Sequence, residues 1–282
     1  MTITRLGAVS YLNTRPLTWG LEHGLQTGDF ALEFDVPSRC SERLAAGQVD
    51  LALAPSIEFA RACGAGKPGL AAVPGLCIAS DGPAASVLLV SRVPFERIRG
   101  VGVDTGSRTS VALLRILLRD RWKNDPPFTE EAPDLPTMLT RHDAALVIGD
   151  RALFADIRAA SRGGEILVAD LGAEWKAQTG LPFVFAFWAG RPAAAGPEEV
   201  TTLQASLAAG LTHLPDIAAS WLWQGAPRPT EVLAYLRDNM RYRWGQRERD
   251  GLLRFYLLAA RHGLIEEVPE MTYFPQAAEV AG

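Results

Sequence analysis

Short apolar runs alternate with stretches of helical spacing through most of this chain, and the links between them are short. Ile3 to Val9 reads as a buried strand, Arg15 to Leu21 as the first turns of a helix, and Phe30 to Val36 alternates like a half-buried strand. Pro37-Ser38 opens a helix that Gly47 closes, and Val49 to Ala54 is a further buried strand. Strand–helix–strand order of this kind predicts an α/β fold built on a parallel sheet with crossover helices.

The order then breaks and starts again. Leu70 to Ser80 and Ser86 to Ser91 read as strands joined by an Asp81-Gly82-Pro83 turn. A fresh α/β unit follows: strand Gly100 to Val103, loop Asp104 to Ser107, and a helix from Arg108 with a Val111, Leu114, Leu118 stripe. Beyond a Pro- and acid-rich stretch (Asn124 to Pro136) come strand Ala144 to Ile148, helix Arg151 to Ile157, strand Ile166 to Ala169, a short helix at Glu174 to Ala177, and strand Phe183 to Ala189. From Arg191 onward the spacing is helical: Leu203 to Leu214, Ile217 to Trp223, Val232 to Leu236, and a Leu252 to Ala260 stripe ended by Gly263. One α/β unit is therefore interrupted by a second. Lobe one is expected at 1–91 and 189–282, and lobe two at 92–188. The boundary strands, Ser86 to Arg92 and Phe183 to Arg191, are expected as antiparallel crossings side by side, with a ligand cleft between the lobes. This architecture resembles the two-lobe type II periplasmic-binding-protein fold.

Bulk properties narrow the function. A net charge of −4 over 282 residues does not suit a protein that neutralises a nucleic-acid backbone. No apolar run reaches the ~18–20 residues that span a bilayer, so no membrane partner is expected. The N-terminus enters a strand without the apolar segment of a signal peptide, so a cytoplasmic location is expected. Cys40, Cys63 and Cys77 form no CxxC pair, and His23, His142, His213 and His262 have no i,i+4 partner, so neither metal nor disulfide is expected.

Four strand ends carry polar equipment, and ligands of open α/β sheets gather there. Ser10, Tyr11 and Asn13 crowd the end of the first strand, where Ser10 and Asn13 either cap the helix or meet a ligand. Ser56 and Glu58 follow the strand ending at Pro55. The loop Asp104-Thr105-Gly106-Ser107-Arg108-Thr109-Ser110 joins a helix start to several hydroxyls and a guanidinium. A single cap needs one hydroxyl, so an anion site is the expected reading, with Gly106 letting the backbone approach the ligand. The anion is expected to be a carboxylate, because no GxxxxGK[ST] motif is present and Gly100-Val101-Gly102 does not continue as GxGxxG. Ser86 either reaches the cleft floor or bonds backbone at its strand end, and Asp150 either caps its helix or receives a ligand hydroxyl. Trp175 is a candidate for a cleft edge. No Ser-His, Cys-His or paired-carboxylate arrangement occupies the cleft, so catalysis there rests on positioning and hydrogen bonding.

Gly7 to Leu17, Leu53 to Glu58, Ser80 to Pro83, Ser86 to Ser91, Asp104 to Ser110, Ile148 to Asp150 and Leu181 to Ala186 together resemble the chorismate dehydratases of the futalosine route to menaquinone. The likeness follows nearly the whole chain in order. It implies a cytoplasmic hydro-lyase without cofactor, which removes water from the small dicarboxylate chorismate to give 3-[(1-carboxyvinyl)oxy]benzoate. It also implies that Asn13 and Ser86 sit by the reacting ring while Ser107, Arg108 and Thr109 hold a carboxylate. Two rivals are a non-catalytic binding protein for a small carboxylate and the sister enzyme 1,4-dihydroxy-6-naphthoate synthase, whose opening loop departs from Ser-Tyr-Leu-Asn.

Overall fold

The computed structural model describes residues 3–24, 30–64, 67, 69–161, 165–222 and 228–276; Met1, Thr2 and Trp223 lie outside them. Strand β1 (Thr4–Val9) passes through a 3-10 turn (Leu12–Thr14) into helix α1 (Arg15–Glu22). Then come β2 (Phe30–Asp35), α2 (Pro37–Ala45), β3 (Leu51–Pro55), α3 (Ser56–Ala62), β4 (Ala71–Ala72) and β5 (Ile78–Ser80). The middle of the chain supplies β6 (Val87–Ser91), β7 (Val101–Asp104), α4 (Thr109–Asp120), β8 (Phe128–Glu131) and α5 (Leu135–Arg141). It continues with β9 (Ala144–Ile148), α6 (Asp150–Leu153), α7 (Ile157–Ser161) and β10 (Leu167–Asp170). The last part holds α8 (Leu171–Thr179), β11 (Phe183–Gly190), α9 (Pro197–Thr212), α10 (Leu214–Ser220) and α11 (Pro229–Ala234). A π turn (Tyr235–Asn239), α12 (Gln246–Arg261) and β12 (Thr272–Tyr273) complete it.

These strands form two mixed sheets. The first runs β12-β4-β11-β3-β1-β2, with β5 also on β11, and its β1–β2 and β1–β3 pairs are parallel. The second runs β10-β6-β9-β7-β8, parallel across β9-β7-β8 and antiparallel at β6. Central strands β3 (LALAP) and β9 (AALVI) are buried at every position, as near-continuous apolar runs between covered faces should be.

The chain passes between the sheets twice, through 81–86 and through 171–182. The two boundary strands do not lie side by side, as the sequence reading expected. Val87–Ser91 pairs on both edges inside the second sheet, with β9 and β10, and Phe183–Gly190 pairs on both edges inside the first. Both are apolar runs whose buried N–H and C=O groups need a ladder on each side, and each sheet offers one. Trp175 is fully buried, with its indole N–H donating to the Pro182 carbonyl at 3.0 Å; it is a core residue of the second passage rather than a cleft edge.

Two elements escaped the sequence reading of 124–136 and its sequel: edge strand β8 (FTEE) and helix α5. A short polar edge strand carries almost no alternation, and α5 starts at a Leu-Pro pair capped by Asp134, whose carboxylate accepts from the Thr137 N–H at 3.0 Å. The main apolar core is continuous through both sheets, and a smaller one (Val90, Met138, Leu139, Ala145, Val147) lies under α5 on the opposite face of the second sheet. Helix α1 rests on α9 so closely that a Cβ at Gly210 would stand 2.0 Å from the Pro16 carbonyl oxygen, and only glycine permits that approach. The four histidines sit at the C-caps of α1, α5, α9 and α12.

Candidate active site

Between the two sheets lies a cavity of about 590 Å³, open solvent included. Tyr11 and Asn13 enter it from the turn after β1, Pro55 from the end of β3, and Ser86 from the passage into β6. Ser107, Arg108, Thr109 and Ser110 come from the start of α4, and Gly149 from the end of β9. Val9, Leu53, Ile78, Val87, Ile148, Phe185, Ala186 and Met240 give it apolar walls.

The start of α4 is built for an anion. Its N-cap is Arg108, not Ser107, and no side chain caps it. The first-turn N–H groups of a helix have no intrahelical acceptor. The Ser107 hydroxyl is buried on the cavity wall with no hydrogen-bond partner among the described residues, so it does not serve as an ordinary cap. Among the described residues Arg108 pairs with Glu130 alone, at 3.4 Å on the rim. An unspent hydroxyl, an uncapped helix start and a weakly engaged guanidinium together suit a carboxylate.

Ser86 is buried. Its Oγ accepts from the Tyr235 hydroxyl at 2.8 Å and donates toward the Ala84 carbonyl at 3.3 Å. The Asn13 side chain also favours ionisation of the Tyr235 phenol, against the larger effect of burial. Tyr235 falls within the helical spacing of Val232 to Leu236, and nothing in that local spacing marks a residue that meets Ser86 from so far along the chain.

Five expected ligand contacts are placed elsewhere. Ser56 is buried behind the wall, donating to the Val184 carbonyl at 2.8 Å and lying 3.5 Å from the Thr109 hydroxyl, which also accepts from the Ile57 N–H at 3.3 Å. It ties α3 to α4, and Glu58 beside it pairs with Arg61 at 2.6 Å away from the cavity. Thr105 is exposed, and Gly106 folds back so that its N–H donates to the Asp104 carboxylate at 2.8 Å. Ser10 is absent from the lining, and its N–H donates to the Asp35 carbonyl at 2.9 Å.

Asp150 is the fifth. It neither caps α6 with its side chain nor lines the cavity; its Oδ1 accepts from the Leu12 N–H at 3.0 Å, tying the turn after β1 to the end of β9. Oδ2 is buried without a partner, and burial lifts this carboxyl to about 6. Between its unfolded value of 3.8 and 6 the folded protein keeps a proton that the unfolded chain has released. Its contribution is therefore complete at low pH and is lost as pH rises through 6, a change of about 3 kcal/mol. Asp150→Asn keeps an acceptor for Leu12 but cannot ionise. Urea unfolding at about pH 4 and about pH 8 is expected to show the variant gaining on the wild type by roughly that amount at the higher pH; an unchanged difference overturns it.

Among the described residues no helix is long and apolar enough to cross a membrane, and no three His, Cys, Asp or Glu side chains gather as a metal site. A family model described as menaquinone biosynthesis matches residues 4–261. A curated chorismate dehydratase of Thermus thermophilus is 31% identical over 262 residues, covering 89% of this chain and 93% of that protein. A solved protein of Archaeoglobus fulgidus superposes with a TM-score of 0.76 at 14% identity, covering 93% of this chain and 98% of its own. The periplasmic aliphatic sulphonate binding protein of Escherichia coli does so with 0.62 at 17% identity, covering 99% and 97%. At such low identities these two show the fold alone: the chain has the two-lobe architecture of periplasmic binding proteins.

Proposed function

This chain belongs to the menaquinone biosynthesis family, and we propose that it is a chorismate dehydratase, a cytoplasmic hydro-lyase. The observation that carries the reading is the meeting, in one cavity, of Asn13 and Ser86 with the uncapped, hydroxyl-rich start of α4, in a chain 31% identical to a protein of that name. Chorismate carries two carboxylates and a ring hydroxyl. Loss of the C3 proton and the C4 hydroxyl as one water makes the ring aromatic and leaves the enol ether intact, so the step runs strongly downhill.

Catalysis then asks for orientation, a modest proton acceptor and help for the departing hydroxyl. Ser107, Arg108 and Thr109 hold a carboxylate at the helix start. Asn13 and Ser86 hydrogen-bond at the reacting ring, Ser86 donating to the leaving oxygen. The side-chain carboxylate of the substrate takes the C3 proton and passes it to the departing C4 hydroxyl, which leaves as water, because Asp104 and Asp150 are not among the residues that line the cavity.

Incubation of the protein with chorismate is expected to produce an aromatic ultraviolet band and a product lighter by one water. Chorismate recovered unchanged from saturated protein would instead support the binding-protein reading that the fold also allows. Arg108→Ala is expected to raise KM by about 10–100-fold with a smaller change in kcat, since a charge-assisted fork is lost. Its melting temperature should hold, because the Arg108–Glu130 pair is exposed and such pairs contribute about 0–1 kcal/mol. An unchanged KM would remove the carboxylate from this helix start.

A further inference from the structure

Tyr235 lies in the π turn Tyr235–Asn239, between α11 and the segment that leads to α12. Single π turns are uncommon and recur at functional sites. This one is pinned to the approach to Ser86. The Asn239 carboxamide donates to the Pro83 carbonyl at 2.9 Å, and Arg241 and Ala79 exchange backbone hydrogen bonds at 2.7 and 2.9 Å. The pinned turn delivers the phenol to a point where its hydroxyl lies 2.8 Å from Ser86 Oγ. The ring is buried and takes no part in the cavity wall.

We infer that Tyr235 is a positioning residue for the dehydration, fixing which way Ser86 presents its hydrogen bond to the substrate. A serine hydroxyl has one proton to give and two lone pairs. Tyr235 donates into one lone pair, so the proton of Ser86 must point elsewhere. Its protein acceptor, Ala84, is a long 3.3 Å away. When chorismate fills the cavity, that proton turns to the departing hydroxyl, and Ser86 acts as donor. Burial pushes the Tyr235 phenol up, which keeps it a proton donor at every working pH.

The inference rests on the dehydratase reading, and Tyr235→Phe tests it separately. The variant keeps the ring and deletes one hydroxyl. With chorismate as substrate, kcat is expected to fall by about 10–100-fold with KM within about twofold, the loss typical of a reacting group left slightly misplaced. In a Ser86→Ala background, where there is no serine proton to direct, the same change is expected to lower kcat by no more than about twofold. A wild-type kcat for Tyr235→Phe, or an equal loss in both backgrounds, overturns the positioning role while leaving the dehydratase reading intact. A wild-type protein inert toward chorismate overturns both. If Tyr235→Phe is not recovered folded, Asn239→Ala, which releases the turn from Pro83, replaces it. A several-fold lower kcat at unchanged KM supports the role, and wild-type kcat overturns it.

Discussion

Ser86→Ala and Asn13→Ala are each expected to lower kcat on chorismate by about 10²–10³-fold, the usual loss when one preplaced hydrogen-bond group at a reacting centre is removed. Most of the surrounding wall is apolar, and among the described residues no His, Lys or Cys lines the cavity to stand in for either group. KM should change much less, because the carboxylate is held at the start of α4 by other residues. The two variants differ in stability. Ser86→Ala strands the buried Tyr235 hydroxyl without its acceptor, which costs about 1–3 kcal/mol. Turnover is therefore compared at a temperature where circular dichroism shows both variants folded. Near-wild-type kcat in either would remove that residue from the chemistry.

Gly149→Ala is expected to damage both stability and binding. Gly149 has φ +63° and ψ −148°, a region that side chains other than hydrogen scarcely enter. Strain of this kind costs about 1–3 kcal/mol. A Cβ there would also lie 2.8 Å from three ring atoms of Tyr11, so the ring must leave its place on the cavity wall. A melting temperature lower by about 5–10 °C follows from the combined cost, together with a raised KM as Tyr11 moves into the ligand's space. Tyr11→Ala in the Gly149→Ala chain makes room for the methyl and is expected to recover part of the lost stability. No recovery would mean that the backbone angle alone carries the effect.

Much of the architecture was legible from local pattern. The apolar runs at β1, β3, β6, β9 and β11, the glycine ends of α2 and α12, and the restart of an α/β unit near residue 100 all follow from periodicity and turn chemistry. Strand β8 and helix α5 were not legible, because a half-exposed edge strand and a seven-residue helix carry too little periodic signal. The side-by-side arrangement of the boundary strands failed for another reason. An apolar run says that a strand is buried, and says nothing of which partner fills its ladder.

The site divides in the same way. Clusters of Ser, Thr, Asn, Tyr and Arg at strand ends were visible as residue types, and six of them, Tyr11, Asn13, Ser86, Ser107, Arg108 and Thr109, do line one cavity. Ser56 and Asp150 had equally good local credentials, yet the fold spends Ser56 on a bond within the first sheet and a 3.5 Å contact with Thr109, and Asp150 on a bond that joins its two halves. Tyr235 had none and is hydrogen-bonded to Ser86. Sequence by itself determined which residues could make strands, helix starts and polar loop ends, since those depend on neighbours within a few positions. Only the tertiary structure decided which polar groups face the ligand and which face each other. That choice depends on where residues 86, 109, 150 and 235 meet, and contacts between positions so far apart are set by packing rather than by local pattern.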